Sequence, residues 1–136
     1  MTSFVLDSSA VLRYLDGEAG FERMREIFRV CASTSSLMFI SAIQWGEIAV
    51  IRRRQYGPLE QMRVLRDLAQ FDIQIVAADA TRAIRAAGIR VDYKMGSADS
   101  YAAELALDST DHVLITADYD FKLVENLIRI EFLPAK

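Results

Sequence analysis

Short apolar runs alternate with stretches of helical periodicity along the whole chain, and that alternation restricts it to few architectures. Phe4-Val5-Leu6, Leu37-Met38-Phe39-Ile40, Ile73-Gln74-Ile75-Val76 and Val113-Leu114-Ile115 have the length and composition of buried strands, and Ile128-Arg129-Ile130 is a candidate fifth. Between them, Ser8-Ser9 opens a helix with Val11, Leu12 and Leu15 on one face, stopped near Gly17. Phe21, Met24, Ile27, Phe28 and Cys31 follow at helical spacing, and Ser33 to Ser36 reads as a loop. Ser41 is a natural cap for a helix to about Arg54, and Gly57-Pro58 breaks the chain and starts another with Leu59, Met62, Leu65 and Leu68. Further helices are expected from about Ala80 to Ala87, from a Ser97 cap through Leu107, and around Phe121 to Glu125. Strands separated by helices need crossover connections. The expectation is a single α/β domain over residues 1–136, with a mainly parallel central sheet of four to five strands and helices on both faces.

Within this frame the informative residues are acids. Glu47 has Ile43, Val50 and Ile51 as helical neighbours, so it falls in an apolar stripe. An ionised carboxylate taken out of water has to be paired, protonated or bound to a cation. Asp99 falls beside Ala102, Ala103 and Ala106 in the first turn of its helix, where the dipole favours negative charge. Asp7 ends the first strand, and Asp118 follows the fourth in Ile115-Thr116-Ala117-Asp118. Open parallel sheets bind ligands beyond the carboxyl ends of their strands. Asp7, Glu47 and Asp118 therefore reach one rim by topology, and Asp99 can join them from a helix N-terminus.

Each acid also has a plainer reading. Asp7 could cap the helix after it, Asp99 could be a dipole partner, and Asp118 and Asp120 could be turn or cap residues. Glu47 could be buried against an arginine. The conjunction is harder to explain away, since four acids on one rim repel unless a cation neutralises them. Carboxylates without histidine or cysteine select hard cations such as Mg²⁺ or Mn²⁺, and phosphodiester hydrolysis is the reaction such a site fits best.

A net charge of −3 is unpromising for gripping a polyanion. Setting the four acids aside leaves the remainder weakly positive, and bound metal would cancel the rest locally. Cys31 is the only cysteine, which excludes a disulfide framework and a cysteine-based zinc site. The N-terminus carries no basic leader, and no stretch is long and apolar enough to cross a bilayer. The expected address is the cytosol, with no membrane partner.

The elements Phe4-Val5-Leu6-Asp7-Ser8-Ser9-Ala10, Ser41-Ala42-Ile43-Gln44-Trp45-Gly46-Glu47-Ile48, Ala98-Asp99-Ser100-Tyr101-Ala102-Ala103 and Leu114-Ile115-Thr116-Ala117-Asp118-Tyr119-Asp120-Phe121 follow in order from one end of the chain to the other. In that order and spacing the chain resembles PIN-domain ribonucleases, specifically the VapC-like toxins of type II toxin–antitoxin pairs. The resemblance implies a PIN-like fold and Mg²⁺- or Mn²⁺-dependent endoribonuclease activity, with Asp7, Glu47, Asp99 and Asp118 as metal-binding catalytic acids. It implies Ser9 and Thr116 as supporting hydroxyls, an RNA substrate, a cognate antitoxin that blocks the site, and a homodimer. Asp120 is a further acid with no assigned role. Trp45 and Gly46, just before Glu47, depart from the family's usual pattern.

Other features read more simply. Arg52-Arg53-Arg54 at a helix C-terminus, and Arg82, Arg85 and Arg90, are expected to serve helix dipoles and solvated faces rather than RNA. His112 lies outside the acid pattern and is expected to be structural. The second helix and the helix from Leu59 carry apolar residues enough for a partner surface as well as the core. Two rivals to a toxin stand: an RNA-processing or repair nuclease of the same fold, and a non-catalytic metal- or partner-binding module. An aspartate-based phosphotransfer protein is more remote. The segment after Asp7 lacks a second aspartate, and none of the lysines (Lys94, Lys122 and Lys136) lies at a strand end.

Overall fold

The structure, a computed structural model, describes residues 1–136. In chain order its elements are β1 (Ser3–Leu6), α1 (Ser8–Asp16), α2 (Phe21–Ser33), β2 (Met38–Ser41), α3 (Ala42–Tyr56), α4 (Pro58–Ala69), β3 (Ile73–Val76), α5 (Ala80–Tyr93), α6 (Ser97–Ala106), β4 (His112–Thr116), a 3-10 helix (Tyr119–Val124) and β5 (Ile130–Phe132). The five strands form one all-parallel sheet in the order β3-β2-β1-β4-β5.

The strands are apolar on both faces because both are covered, and the period-2 alternation shows where each side chain goes. Phe4, Leu6, Met38, Ile40 and Ile115 join a core under α1 to α4 with Val11, Met24, Ile27, Phe28, Ile48, Val64 and Leu68. Val5 and Leu114 point the other way, into a second core with Ile89, Ala102, Ala103, Leu105 and Phe121 from α5, α6 and the 3-10 helix.

Local chemistry sets most boundaries as the sequence implies. Gly17 ends α1 in a left-handed conformation at φ 63°, and its N–H closes onto the carbonyls of Arg13 and Tyr14. The Ser41 side chain caps α3 by accepting from Ile43 N at 3.2 Å. Pro58 is the first residue of α4.

Three differences from the expected boundaries have a clear local cause. α5 continues past Ala87 to Tyr93, because Ala86 and Ile89 are buried and their packing outweighs the cost of Gly88, about 1 kcal/mol. β5 is Ile130–Phe132 rather than Ile128–Ile130, since Ile128 closes the preceding turn with its N–H on Val124 O. α6 begins with Gly96 at the cap position, so Ser97 is already helical and no side chain caps the helix.

The topology fixes where a site can form. From β1 the chain runs outward through β2 to β3, then crosses back to β4 on the other side of β1 and continues to β5. The strand order therefore reverses between β1 and β4, where Leu6 pairs with Ile115. In such sheets the crevice at the carboxyl ends of the two strands flanking the reversal is where ligands are held. Asp7 and Asp118 follow those two strands.

Candidate active site

Asp7 stands at the centre of the crevice. It occupies the cap position of α1, yet its side chain makes no capping hydrogen bond. It is 2% exposed, and its two oxygens have different fates. Oδ2 accepts from Ser9 Oγ and, at 2.9 Å, from Thr116 Oγ1. Oδ1 is buried with no partner. The hydroxyls are themselves oriented: Ser9 Oγ accepts from Ala117 N at 2.9 Å, and Thr116 Oγ1 accepts from Asp118 N at 3.0 Å. Backbone N–H groups past the end of β4 thus hold two hydroxyls, and the hydroxyls hold one edge of Asp7.

The other acids surround it. Glu47 is half-buried on α3 and accepts from Ser8 Oγ at 3.0 Å through Oε1, with no arginine beside it. Asp99 is half-buried in the first turn of α6, folded back so that a Cβ on Gly96 would stand 3.7 Å from its Oδ2. Asp118 caps the 3-10 helix by accepting from Asp120 N at 2.9 Å, so its plainer reading holds alongside its place at the rim. Asp120 itself is exposed.

Electrostatics ties these side chains into one group. Burial pushes the Asp7 carboxyl up against the pull of its two hydroxyl donors, and the Asp118 charge adds to the rise. Burial raises Glu47 as well; Ser8 partly offsets this, and the charges of Asp7 and Asp118 add to it. Asp99 is pushed up to about 7 by burial first, then by Asp7, Asp118, Glu47 and Asp120. No lysine or arginine enters the electrostatics of these three acids. Elsewhere the chain pairs its buried charges: Glu104 with Arg82, and Arg52 with Asp16.

The donor set fits a hard divalent cation in its chemistry. It is all oxygen, has no counter-charge, and includes one buried carboxylate oxygen with no partner. As placed, no three of the side chains stand in ion-enclosing geometry, so the acids are coupled through space rather than meeting at a point.

Sequence reading missed part of this arrangement. The sequence marks Ser8 only as a helix opener, but its hydroxyl also donates to Glu47. Glu47 lies beside the inward line of α3 rather than on it, and Val50 is exposed; the buried line is Gln44, Ile48 and Arg52. Arg52 is therefore a buried ion-pair partner of Asp16, not part of a solvated face, whereas Arg53 and Arg54 are exposed. Arg82 and Arg85 bind Glu104, and His112 is buried with Nδ1 3.3 Å from Leu105 O, all structural roles. The α2 residues Met24, Ile27 and Phe28 face the core, while Leu59 and Met62 of α4 are exposed. Trp45 packs against the first core, and the space beside Gly46 is open.

A parallel α/β sheet with uncompensated carboxylates at its switch point defines the class, and comparison gives it a family. A model of the PIN domain matches residues 4–127, and the chain belongs to the PIN-domain family. Ribonuclease VapC42 of Mycobacterium tuberculosis is 30% identical over 122 residues, covering 84% of this chain and 90% of the relative. Among solved structures, VapBC2 from Rickettsia felis, bound to a DNA fragment from its promoter, matches with a TM-score of 0.74 at 14% identity, covering 98% of this chain and 100% of that one. VapC20 of Mycobacterium tuberculosis, a sarcin-ricin loop cleaving toxin, matches with a TM-score of 0.71 at 18% identity, covering 97% and 100%. At these identities the solved structures speak to the fold alone.

Proposed function

We propose that this chain is a divalent-metal-dependent endoribonuclease, the toxin of a toxin–antitoxin pair, with Asp7, Glu47, Asp99 and Asp118 as the acids that hold Mg²⁺ or Mn²⁺. The observation that carries the reading is the unpartnered, buried Asp7 Oδ1 among acids that have no cationic side chain to offset them. The ribonuclease relative at 30% identity supports the reaction class. The VapBC complex among the fold neighbours supports an antitoxin partner.

Asp7 would present Oδ1 to the metal while Ser9 and Thr116 keep Oδ2, and with it the whole carboxylate plane, from turning away. Asp99, Glu47 and Asp118 would approach from α6, α3 and the end of β4 to complete the set. A bound divalent ion supplies charge neutralisation on the phosphate and a more acidic water. Glu47, with Oε1 engaged by Ser8, would keep Oε2 free to face the metal or a water held by it. Asp120 serves indirectly, through its backbone N–H on Asp118.

We further propose that the protein acts as a homodimer. Ile84 and Val91 are exposed two turns apart on α5, and Leu59 and Met62 are exposed on α4. No helix is long and apolar enough to cross a membrane.

The test is cleavage of RNA by the purified protein. Activity should require Mg²⁺ or Mn²⁺, stop with EDTA, and be lost in Asp7→Ala and Asp99→Asn. Expression of the chain alone should arrest growth, and co-expression of its antitoxin should relieve the arrest. Cleavage that persists in EDTA or in Asp7→Ala would overturn the site. Cleavage without growth arrest would favour an RNA-processing enzyme of the same fold.

A further inference from the structure

The inward line of α3 is unusual for a helix packed on a sheet, because two of its three residues are polar. Gln44, Ile48 and Arg52 follow one another at single-turn spacing, with Gln44 0% and Arg52 4% exposed. Arg52 anchors the far end of α3 to the end of α1, with Nη2 2.6 Å from Asp16 Oδ1. Gln44 anchors the end near the site, donating from Nε2 to Ala98 O at 2.7 Å. A carbonyl can only accept, so the amide is fixed with its nitrogen toward α6. Its Oε1 is then left buried without a partner.

An orphaned amide oxygen in the core costs stability, and methionine would fill the same space without one. What the glutamine contributes follows from its position. Gln44 precedes Glu47 by one helical turn, and Ala98 immediately precedes Asp99. A single hydrogen bond therefore joins the two backbones that carry these acids, whose like charges push the helices apart. α6 has no side-chain cap of its own, since Gly96 occupies the cap position. The tie from Gln44 reaches its uncapped first turn from outside.

We propose that Gln44 is a positioning residue: its hydrogen bond to Ala98 sets the separation of Glu47 and Asp99, so that both reach the same divalent cation. The inference rests on the metal-dependent reading above. Residues that orient metal ligands from behind typically change metal affinity by about 10–100-fold when replaced.

Mn²⁺ affinity measured by calorimetry, thermal midpoints and ¹H–¹⁵N amide spectra test this on Gln44→Met and Gln44→Asn. Gln44→Met should keep or raise the midpoint of the metal-free protein and weaken Mn²⁺ binding about tenfold or more. Gln44→Asn, with an amide one methylene short of Ala98, should weaken binding likewise, which separates reach from polarity. It also carries the comparison if the methionine variant does not fold. In an Asp99→Asn background, Gln44→Met should produce little further loss, because the residue it positions is already neutral. Unchanged Mn²⁺ affinity in Gln44→Met, or an equal loss with and without Asp99→Asn, overturns the proposal. A wild type that binds no Mn²⁺ would sink the metal reading itself. The amide shifts of residues 97–101 then decide alone: displacement in Gln44→Met upholds the tie, and unchanged shifts reject it.

Discussion

Thr116 and Ser9 grip the same oxygen of Asp7 and leave the other free, an asymmetry that makes the hydroxyls testable apart from the acid. Thr116→Val keeps the shape of the buried side chain and removes its donor. It should weaken Mn²⁺ binding about 10–100-fold by calorimetry while the fold is retained. An unchanged affinity would mean that Ser9 alone orients Asp7. Asp99 makes a prediction about pH. Its carboxyl is pushed up from 3.8 to about 7 by burial and then by the surrounding acids. A group raised on folding contributes stability that is fully present below its unfolded value and is lost as pH rises through its folded value. The metal-free protein should therefore lose stability between about pH 4 and pH 8. Asp99→Asn should recover about 1–2 kcal/mol at pH 8, allowing for solvent around a half-exposed group. Denaturant midpoints of both proteins across that range check it, and parallel curves would show that Asp99 does not feel its neighbours. Part of the slope should remain in the variant, because Asp7 and Glu47 are raised in the same direction. Added Mn²⁺ should reverse the trend, since protons and metal compete for the same oxygens.

Helices α5 and α6 are locked by a charge cluster rather than by apolar packing alone. Glu104 is 1% exposed and takes Arg82 at 3.1 Å and Arg85 at 3.6 Å, while Arg82 also binds Asp108. Arg82→Ala takes the closer cation from buried Glu104, leaves it only the longer contact to Arg85 and strips Asp108 of its partner, so it should destabilise the protein by about 3 kcal/mol in urea unfolding. Replacing Glu104 by glutamine should cost less, because no orphaned charge remains; a larger loss from that change would contradict the account. The cluster also marks the boundary of what the sequence reveals. Asp7 and Asp118 were legible because strand ends follow from apolar runs, and a parallel sheet gathers strand ends at one edge. Gln44, Arg52 and Glu104 were not. Their burial depends on which way a helix is rotated against its neighbours, and on α3 the apolar positions Ile43, Val50 and Ile51 suggested the wrong face. The shift of β5 has a similar origin. Ile128-Arg129-Ile130-Glu131-Phe132 alternates throughout, and only pairing with Leu114 to Thr116 selects its last three residues as the strand. The expected end near Ala87 fell short because tertiary burial of Ile89 carries α5 on through Gly88.

On the scale of the whole molecule, the exposed apolar residues of α4 and α5 lie on helices that carry none of the four acids, and this separation allows assembly and catalysis to be disrupted independently. α5 presents Ile84 and Val91 outward with Gly88 between them, where an added Cβ would meet nothing. A helix with two branched side chains and a small gap between them allows a second helix to approach closely, and isologous contact of this kind is the commonest route to a twofold dimer. Polar replacement should therefore separate the subunits without unfolding them, since neither side chain contributes to a core. The double variant Ile84→Lys, Val91→Glu is expected to sediment at the mass of one chain, with the wild type at the mass of two. Its thermal transition should become independent of protein concentration, while that of the wild type rises with concentration. Mn²⁺ affinity should stay at the wild-type value, because α5 contributes none of the four acids. A wild type sedimenting as one chain would refute the homodimer. A variant that remains paired would move the interface to the other exposed surface, at Leu59 and Met62 on α4. A fall in Mn²⁺ affinity on dissociation would show that the site depends on the partner subunit, contrary to the proposal that Asp7, Glu47, Asp99 and Asp118 of one chain hold the ion.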